Sequence, residues 1–136
     1  MVVDTSPNNR IARPIDTVSA RKVEITDRYF CFLDQHLADL ISGKVTVMLE
    51  LNDISRELCI SHKHLIAIIQ ETRGQHPCHF YIAKIIEKSQ QLMLNTTLSV
   101  AEIARMLTYE PSNFNKFFKK YVGQTPGQYR DKHKGL

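Results

Sequence analysis

The sequence has few of the features that mark secreted, membrane-embedded or catalytic proteins. It holds three cysteines, Cys31, Cys59 and Cys78, with no CxxC pair among them. That excludes a secreted disulfide scaffold and fits a reducing cytoplasm. No apolar run approaches the ~18 residues of a membrane span, and Met1–Asp4 opens no charged-then-apolar signal segment. A Gly-rich phosphate loop, a nucleophile elbow and paired carboxylates in an apolar setting are all missing, so an enzyme is not expected. Hardly any stretch alternates in the manner of a strand. What is present is an ordinary soluble composition, 43% hydrophobic and 24% charged, long enough at 136 residues for one domain or two small units sharing a core.

The charge is uneven. Residues 1–94 carry 11 basic and 11 acidic side chains, whereas residues 95–136 carry seven basic against three acidic. The whole excess of +4 therefore lies in the last third. An asymmetry of this sign suggests a polyanionic partner, although basic ends also serve solubility alone.

Residues 1–25, with Pro7, Asn8, Asn9 and Pro14, show no sustained apolar period and read as a flexible arm or linker. From residue 26 the punctuation is helical. Phe30, Leu33, Leu37, Leu40 and Ile41 recur at three- and four-residue steps and stop at Ser42-Gly43, which predicts an amphipathic helix. Lys44–Glu50 is ambiguous between a short extended piece and a pre-turn. Asn52 is expected to cap a short helix through Leu58, and Ser61 another that stops at Gly74. Pro77 suits the first position of a long helix ending near Asn95. Ser99 with Glu102 makes a capping box for a helix to about Leu107. Pro111 starts the next, which ends at Gly123, and Thr125-Pro126 starts a last short one. The expected fold is all-α, with about seven helices. Residues 132–136 are expected to form a basic tail.

Comparing the chain with itself at an offset of 49 residues gives a gapless match. Leu51 aligns with Val100, Ile54 with Ile103, Ser55 with Ala104 and Leu58 with Leu107. Leu65 then aligns with Phe114, Ile68 with Phe117 and Ile69 with Phe118. Gly74-Gln75-x-Pro77-x-x-Phe80 aligns with Gly123-Gln124-x-Pro126-x-x-Tyr129. Each unit is a short helix, a tight turn, a longer helix and a glycine stop, the anatomy of a helix-turn-helix. The units span about 51–74 and 99–123, joined by a linker helix at about 77–95. Apolar residues Phe80, Ile85, Ile86, Leu92 and Met93 would pack that linker, which at 1.5 Å per residue is roughly 27 Å long. Two reading helices held ~34 Å apart would fall on successive major grooves of one DNA face.

Leu51–Pro77 and Ser99–Tyr129 resemble the two half-motifs of the AraC/XylS-type transcription regulators. That family's second half ends in a pattern like Phe-x-x-x-Phe-(Lys/Arg)-x-x-x-Gly-x-(Ser/Thr)-Pro-x-x-(Tyr/Phe), which Phe114, Phe118, Lys119, Gly123, Thr125, Pro126 and Tyr129 fill. The resemblance covers about residues 26–131. It implies binding to double-stranded DNA at bacterial promoters, usually activation through contact with RNA polymerase, and a cytoplasmic, nucleoid-associated place. Three departures stand out: Cys59 where the first turn usually carries Gly, a second turn (Thr108-Tyr109-Glu110) that looks one residue shorter than usual, and Ile85 where the linker often has Arg. A larger family member would carry a sensor domain before this segment, so the chain reads as a stand-alone regulator or as the DNA-binding end of a longer one.

On the second reading helix, Phe114, Phe117 and Phe118 are expected in the core, leaving Ser112, Asn113, Asn115 and Lys116 toward base edges. Asn pairs bidentately with adenine and Lys donates to guanine. Lys119 and Lys120 suit phosphate contacts, which position without reading sequence. On the first reading helix, Leu65, Ile68 and Ile69 are expected in the core, and Lys63, Ile66 and Ala67 in the groove. Ile66 and Ala67 offer only thymine-methyl contact, so this half is expected to read by shape or to read little. His62 and Arg73 are phosphate candidates, and His64 is read as a packed or capping histidine. The amides after Asn52, Ser99 and Thr125 are further candidates for phosphate binding.

Cys59-x-x-His62-x-His64 with His76-x-Cys78-His79 invites a zinc site, but ligands at i, i+2 on a helix point about 200° apart, which spoils tetrahedral closure. No metal, cofactor or small-molecule ligand is expected. The aromatic set Phe114, Phe117, Phe118 and Tyr121 is read as core. The rival class is a helical module that binds a protein partner and no DNA.

Overall fold

A computed structural model describes the backbone of residues 14–134 and the side-chain surroundings of residues 20–133. Seven helices and no strand occur among the described residues: α1 (Pro14–Ser42), α2 (Leu51–Glu57), α3 (His62–Arg73), α4 (Pro77–Asn95), α5 (Val100–Met106), α6 (Pro111–Val122) and α7 (Pro126–Lys134). Helix α4 is the keel. On one side it packs against α1 and α3, with α2 on α3; on the other it packs against α5, α6 and α7. The expected linker helix is thus the shared wall of two small bundles, and Ile85, Ile86 and Met93 are buried in it.

The 49-residue repeat appears as repeated geometry. Ser55 and Ala104 are both buried where each short helix crosses its longer partner. Each turn closes on the same bond, Ile60 N–H to Ser55 O at 3.1 Å and Tyr109 N–H to Ala104 O at 2.8 Å. Each long helix ends on a left-handed glycine, Gly74 (φ 78°) and Gly123 (φ 92°), whose amide donates to Gln70 O and Lys119 O at 2.9 Å. Glycine carries no Cβ to clash there, so the chain can reverse without strain. Leu65, Ile68 and Ile69 fill one core, and Phe114 and Phe118 with Ile103 and Leu107 fill the other. Burying each such side chain contributes roughly 1.5–3 kcal/mol.

Several expectations are corrected. The arm placed at residues 1–25 is helical from Pro14, while its residues 1–13 lie outside the described part. Ile25 is buried, Lys22 Nζ pairs with Glu71 of α3 at 2.7 Å, and the Thr26 and Thr72 hydroxyls share a hydrogen bond of 2.7 Å. Contacts of this mixed kind leave no apolar period to read. Asn52 is not a cap: α2 starts two residues earlier than that cap would place it, its N-cap is Glu50, and the Glu50 amide donates to Asp53 at 3.0 Å. The two turns share one geometry, Thr108 (φ 66°) occupying the left-handed place that Cys59 (φ 62°) holds in the first. Residues 132–134 belong to α7 and are not a loose tail; the last two residues of that expected tail lie outside the described part. The ambiguous Lys44–Glu50 stretch is irregular chain, held where Leu49 N–H donates to His36 Nε2 (3.0 Å) and Leu49 O accepts from Tyr81 Oη (2.7 Å).

Candidate nucleic-acid interface

Helix α6 has a sharply divided surface. Phe114 and Phe118 are fully buried, and Phe117 is half-buried against Tyr109 with ring centroids 5.0 Å apart. With that edge fixed, Ser112, Asn113, Asn115, Lys116, Lys119 and Lys120 are all exposed. The helix holds three lysines and no acid within its length, and none of them forms an ion pair among the described residues. Unpaired ammonium groups in a row create a local positive field, the electrostatic footprint of a polyanion site. Lys120 Nζ lies 5.3 Å from the Tyr121 ring. Tyr121 itself is not core: it is 47% exposed at the helix end, over an open groove lined by His79, Ile82, Ala83 and Ile86.

Helix α3 presents a different face. His62, Lys63, Ala67 and Arg73 are exposed, but Ile66 is half-buried and packs against the core. His64 is exposed and not packed; only its amide is tied, donating to the Ser61 hydroxyl at 3.1 Å. Arg73 is turned toward α1, its guanidinium 4.4 Å from the Phe30 ring centroid. In the repeat, Gln70 and Glu71 stand where Lys119 and Lys120 stand in α6, and Glu71 is already paired with Lys22. The cationic row is therefore a property of the second unit alone.

The helix starts also differ from expectation. At α5 the Glu102 carboxylate accepts from the Ser99 amide (2.8 Å), while the Glu102 amide donates to the Ser99 hydroxyl (3.0 Å). The Ser99 amide and hydroxyl together hold the Glu102 carboxyl below the usual carboxylate range. Thr125 and Gln128 form the same reciprocal pair at α7 (2.9 and 3.2 Å). These caps satisfy amides and, at α2 and α5, place a carboxylate in the first turn, so those ends are poorly suited to phosphate.

Sequence reading missed two arginines that serve the scaffold. Arg130 Nε donates to Met93 O (3.0 Å) and its Nη2 to Thr96 O (3.3 Å), pinning α7 to the end of α4. Arg28 Nη2 donates to Leu58 O (3.2 Å), tying α1 to the first turn. Counted by charge alone, both look like solvated surface cations.

A family model described as a helix-turn-helix domain matches residues 54–132, more than half of the chain. The chain belongs to this family, in its AraC/XylS-type form with paired motifs. The C-terminal domain of AraT, a response regulator from Geobacillus stearothermophilus, is similar in structure, with a TM-score of 0.69, 28% identity, and coverage of 79% of this chain and 84% of that one. The Msm operon regulatory protein of Streptococcus mutans is 31% identical over 92 residues, 67% of this chain and 33% of that protein. The xylose operon regulatory protein of Escherichia coli is 36% identical over 73 residues, 53% of this chain and 19% of that protein. Fold and family are those of transcription regulators rather than enzymes. The chain spans between 15% and 35% of the length of the curated relatives it matches. Among the described residues no helix is long and apolar enough to cross a membrane.

Proposed function

We propose that the chain binds double-stranded DNA sequence-specifically at bacterial promoters, with α3 and α6 entering successive major grooves, and that it activates transcription through contact with RNA polymerase on the nucleoid. One observation carries this reading: the exposed Asn113, Asn115, Lys116, Lys119 row of α6 lies opposite the buried Phe114 and Phe118. Ser112, Asn113, Asn115 and Lys116 face base edges, and Lys119 and Lys120 face phosphates. The first unit contributes Lys63 and Ala67, with His62 toward the backbone. Ile66 and Arg73 are weaker contributors, because the core and Phe30 already engage them.

The limited share of each relative that the chain spans favours the DNA-binding end of a longer, ligand-sensing regulator over a stand-alone one. A protein-docking module is less well supported: of the two apolar residues on the outer face of α3, Ile66 packs against the core and only Ala67 is exposed.

The test is selection of bound sites from a random DNA pool. Asn115→Ala is expected to relax preference at one or two base pairs. Lys119→Ala is expected to weaken all sequences about equally and to lower the salt slope by ~0.9. A selected motif unchanged by Asn115→Ala, or binding that is flat between ~50 and ~200 mM salt, overturns the reading.

A further inference from the structure

Glu110 is an acid in a place where DNA binding should disfavour one. It is the N-cap of α6, immediately before Pro111, and it is exposed. Its equivalent in the first unit, Ser61, caps α3 by accepting from the His64 amide. Glu110 caps nothing: no hydrogen bond runs from the first-turn amides of α6 to its side chain. Its one side-chain contact is with Ser112, whose hydroxyl donates to Glu110 Oε1 at 2.9 Å, and it joins no ion pair among the described residues. Ser112 stands on the outward face, so this hydrogen bond draws the carboxylate to the leading end of the helix on the side opposite Phe114 and Phe118. Among the described residues the other carboxylate oxygen has no partner.

An ionised group held there meets one of two things in a groove. Phosphate oxygens repel it. A base edge satisfies it only through a donor, and in the major groove the amine on C4 of cytosine is the donor to which an acidic side chain is matched. The N-terminal residues of a reading helix are the ones that reach base edges. We propose that Glu110 is a specificity-determining residue of the second unit, its free carboxylate oxygen accepting from the exocyclic amine of a cytosine while the Ser112 hydroxyl holds the other oxygen in place. The inference rests on the reading of α6 as a groove helix. It also gives Ser112 a defined task, orienting Glu110 rather than contacting a base alone.

The test compares the full chain with its Glu110→Gln and Ser112→Ala variants in selection from a random duplex pool, with affinity for a fixed non-specific duplex measured alongside. Glu110→Gln keeps the size and an acceptor for Ser112, and both sites are exposed, so folding is retained; thermal melts check this. The wild type is expected to select a C·G pair beside the pair lost in Asn115→Ala. Glu110→Gln is expected to lose that cytosine preference by roughly tenfold or to shift it toward adenine. Ser112→Ala is expected to weaken the same preference without moving it. If Glu110→Gln instead tightens binding to every sequence equally and leaves the motif intact, the carboxylate is merely repulsive and the proposal falls. If none of the three proteins binds the pool or the non-specific duplex, the DNA-binding reading itself fails.

Discussion

Cys59 and Thr108 lie 49 positions apart and share one backbone state, φ 62° and φ 66°, the only positive φ values at non-glycine residues among those described. Each follows the last turn of a short helix and sets the angle at which the next helix leaves. A left-handed conformation costs an L-residue roughly 1–2 kcal/mol, and β-branched threonine is a poor fit for it. Both residues are exposed, so little packing offsets that strain.

Thr108→Gly and Cys59→Gly are therefore expected to stabilise the protein. Glycine relieves the strain but loses more freedom on folding, about 0.5–1 kcal/mol, which leaves a net gain on the order of 0.5–1 kcal/mol per site. The two turns belong to separate bundles, so the effects should add. Thermal melting of the single and double variants checks this. A fall in Tm for Thr108→Gly would mean that its side chain does more than tolerate the turn.

Arg130 separates scaffold from interface. It is one of the seven basic residues behind the C-terminal charge excess, yet its guanidinium is committed to Met93 O and Thr96 O. Arg130→Ala should cost about 1.5–3 kcal/mol, the range for hydrogen bonds from a charged group, since it removes the two bonds that hold α7 to the end of α4. Per folded molecule, the salt slope of DNA binding should stay unchanged. Lys119→Ala should do the reverse, with an unmoved Tm and a shallower slope. Paired melts and salt titrations distinguish the two roles.

Acid should weaken the fold through His36. The ring is buried, stacks near Phe32 (centroids 6.2 Å apart) and accepts from the Leu49 amide at Nε2, so the neutral form is the native one. Burial lowers its pKa below the ordinary histidine value, with Asp39 opposing in part. The unfolded chain then binds the proton more readily. The stability this site contributes is fully present above the unfolded value of ~6.5 and is lost as pH falls from there toward the lowered native value. His36→Gln retains an acceptor for Leu49 but does not titrate. Its Tm should fall less steeply than that of the wild type over that window, and equal slopes would refute the assignment.

How much of this was legible depended on which force set each feature. The repeat, the Ser61 cap, the Ser99–Glu102 box, the proline starts and the glycine stops are local chemistry, and they placed six of the seven helix starts to within a residue or two. The start of α1 was missed because its anchors, Lys22 to Glu71 and Thr26 to Thr72, are polar and distant in sequence. Asn52 was misread for the opposite reason: it suits a cap by type, while the repeat, aligning Glu50 with Ser99, already indicated the true one. The exposed lysines and asparagines of α6 could be placed from their phenylalanine neighbours. Whether a cation is free could not, since Arg73 on Phe30 and Arg130 on two carbonyls depend on tertiary contact.

The asymmetry between the units gives a test of whether α3 lies against DNA at all. Gln70 is exposed and occupies the place that Lys119 holds in α6, so the first unit lacks the cation with which the second is expected to meet the backbone. Gln70→Lys supplies it without touching the core, and a lysine late in a helix is favoured by the helix dipole, so folding should be unharmed. If α3 sits in a groove as α6 does, the new ammonium releases about one more counterion. Binding to every sequence should then tighten at low salt, and the salt slope should steepen by ~0.9. The selected motif should stay the same, because phosphate contacts carry no sequence information. An unchanged slope would place α3 away from the backbone and leave the second unit as the sole DNA contact.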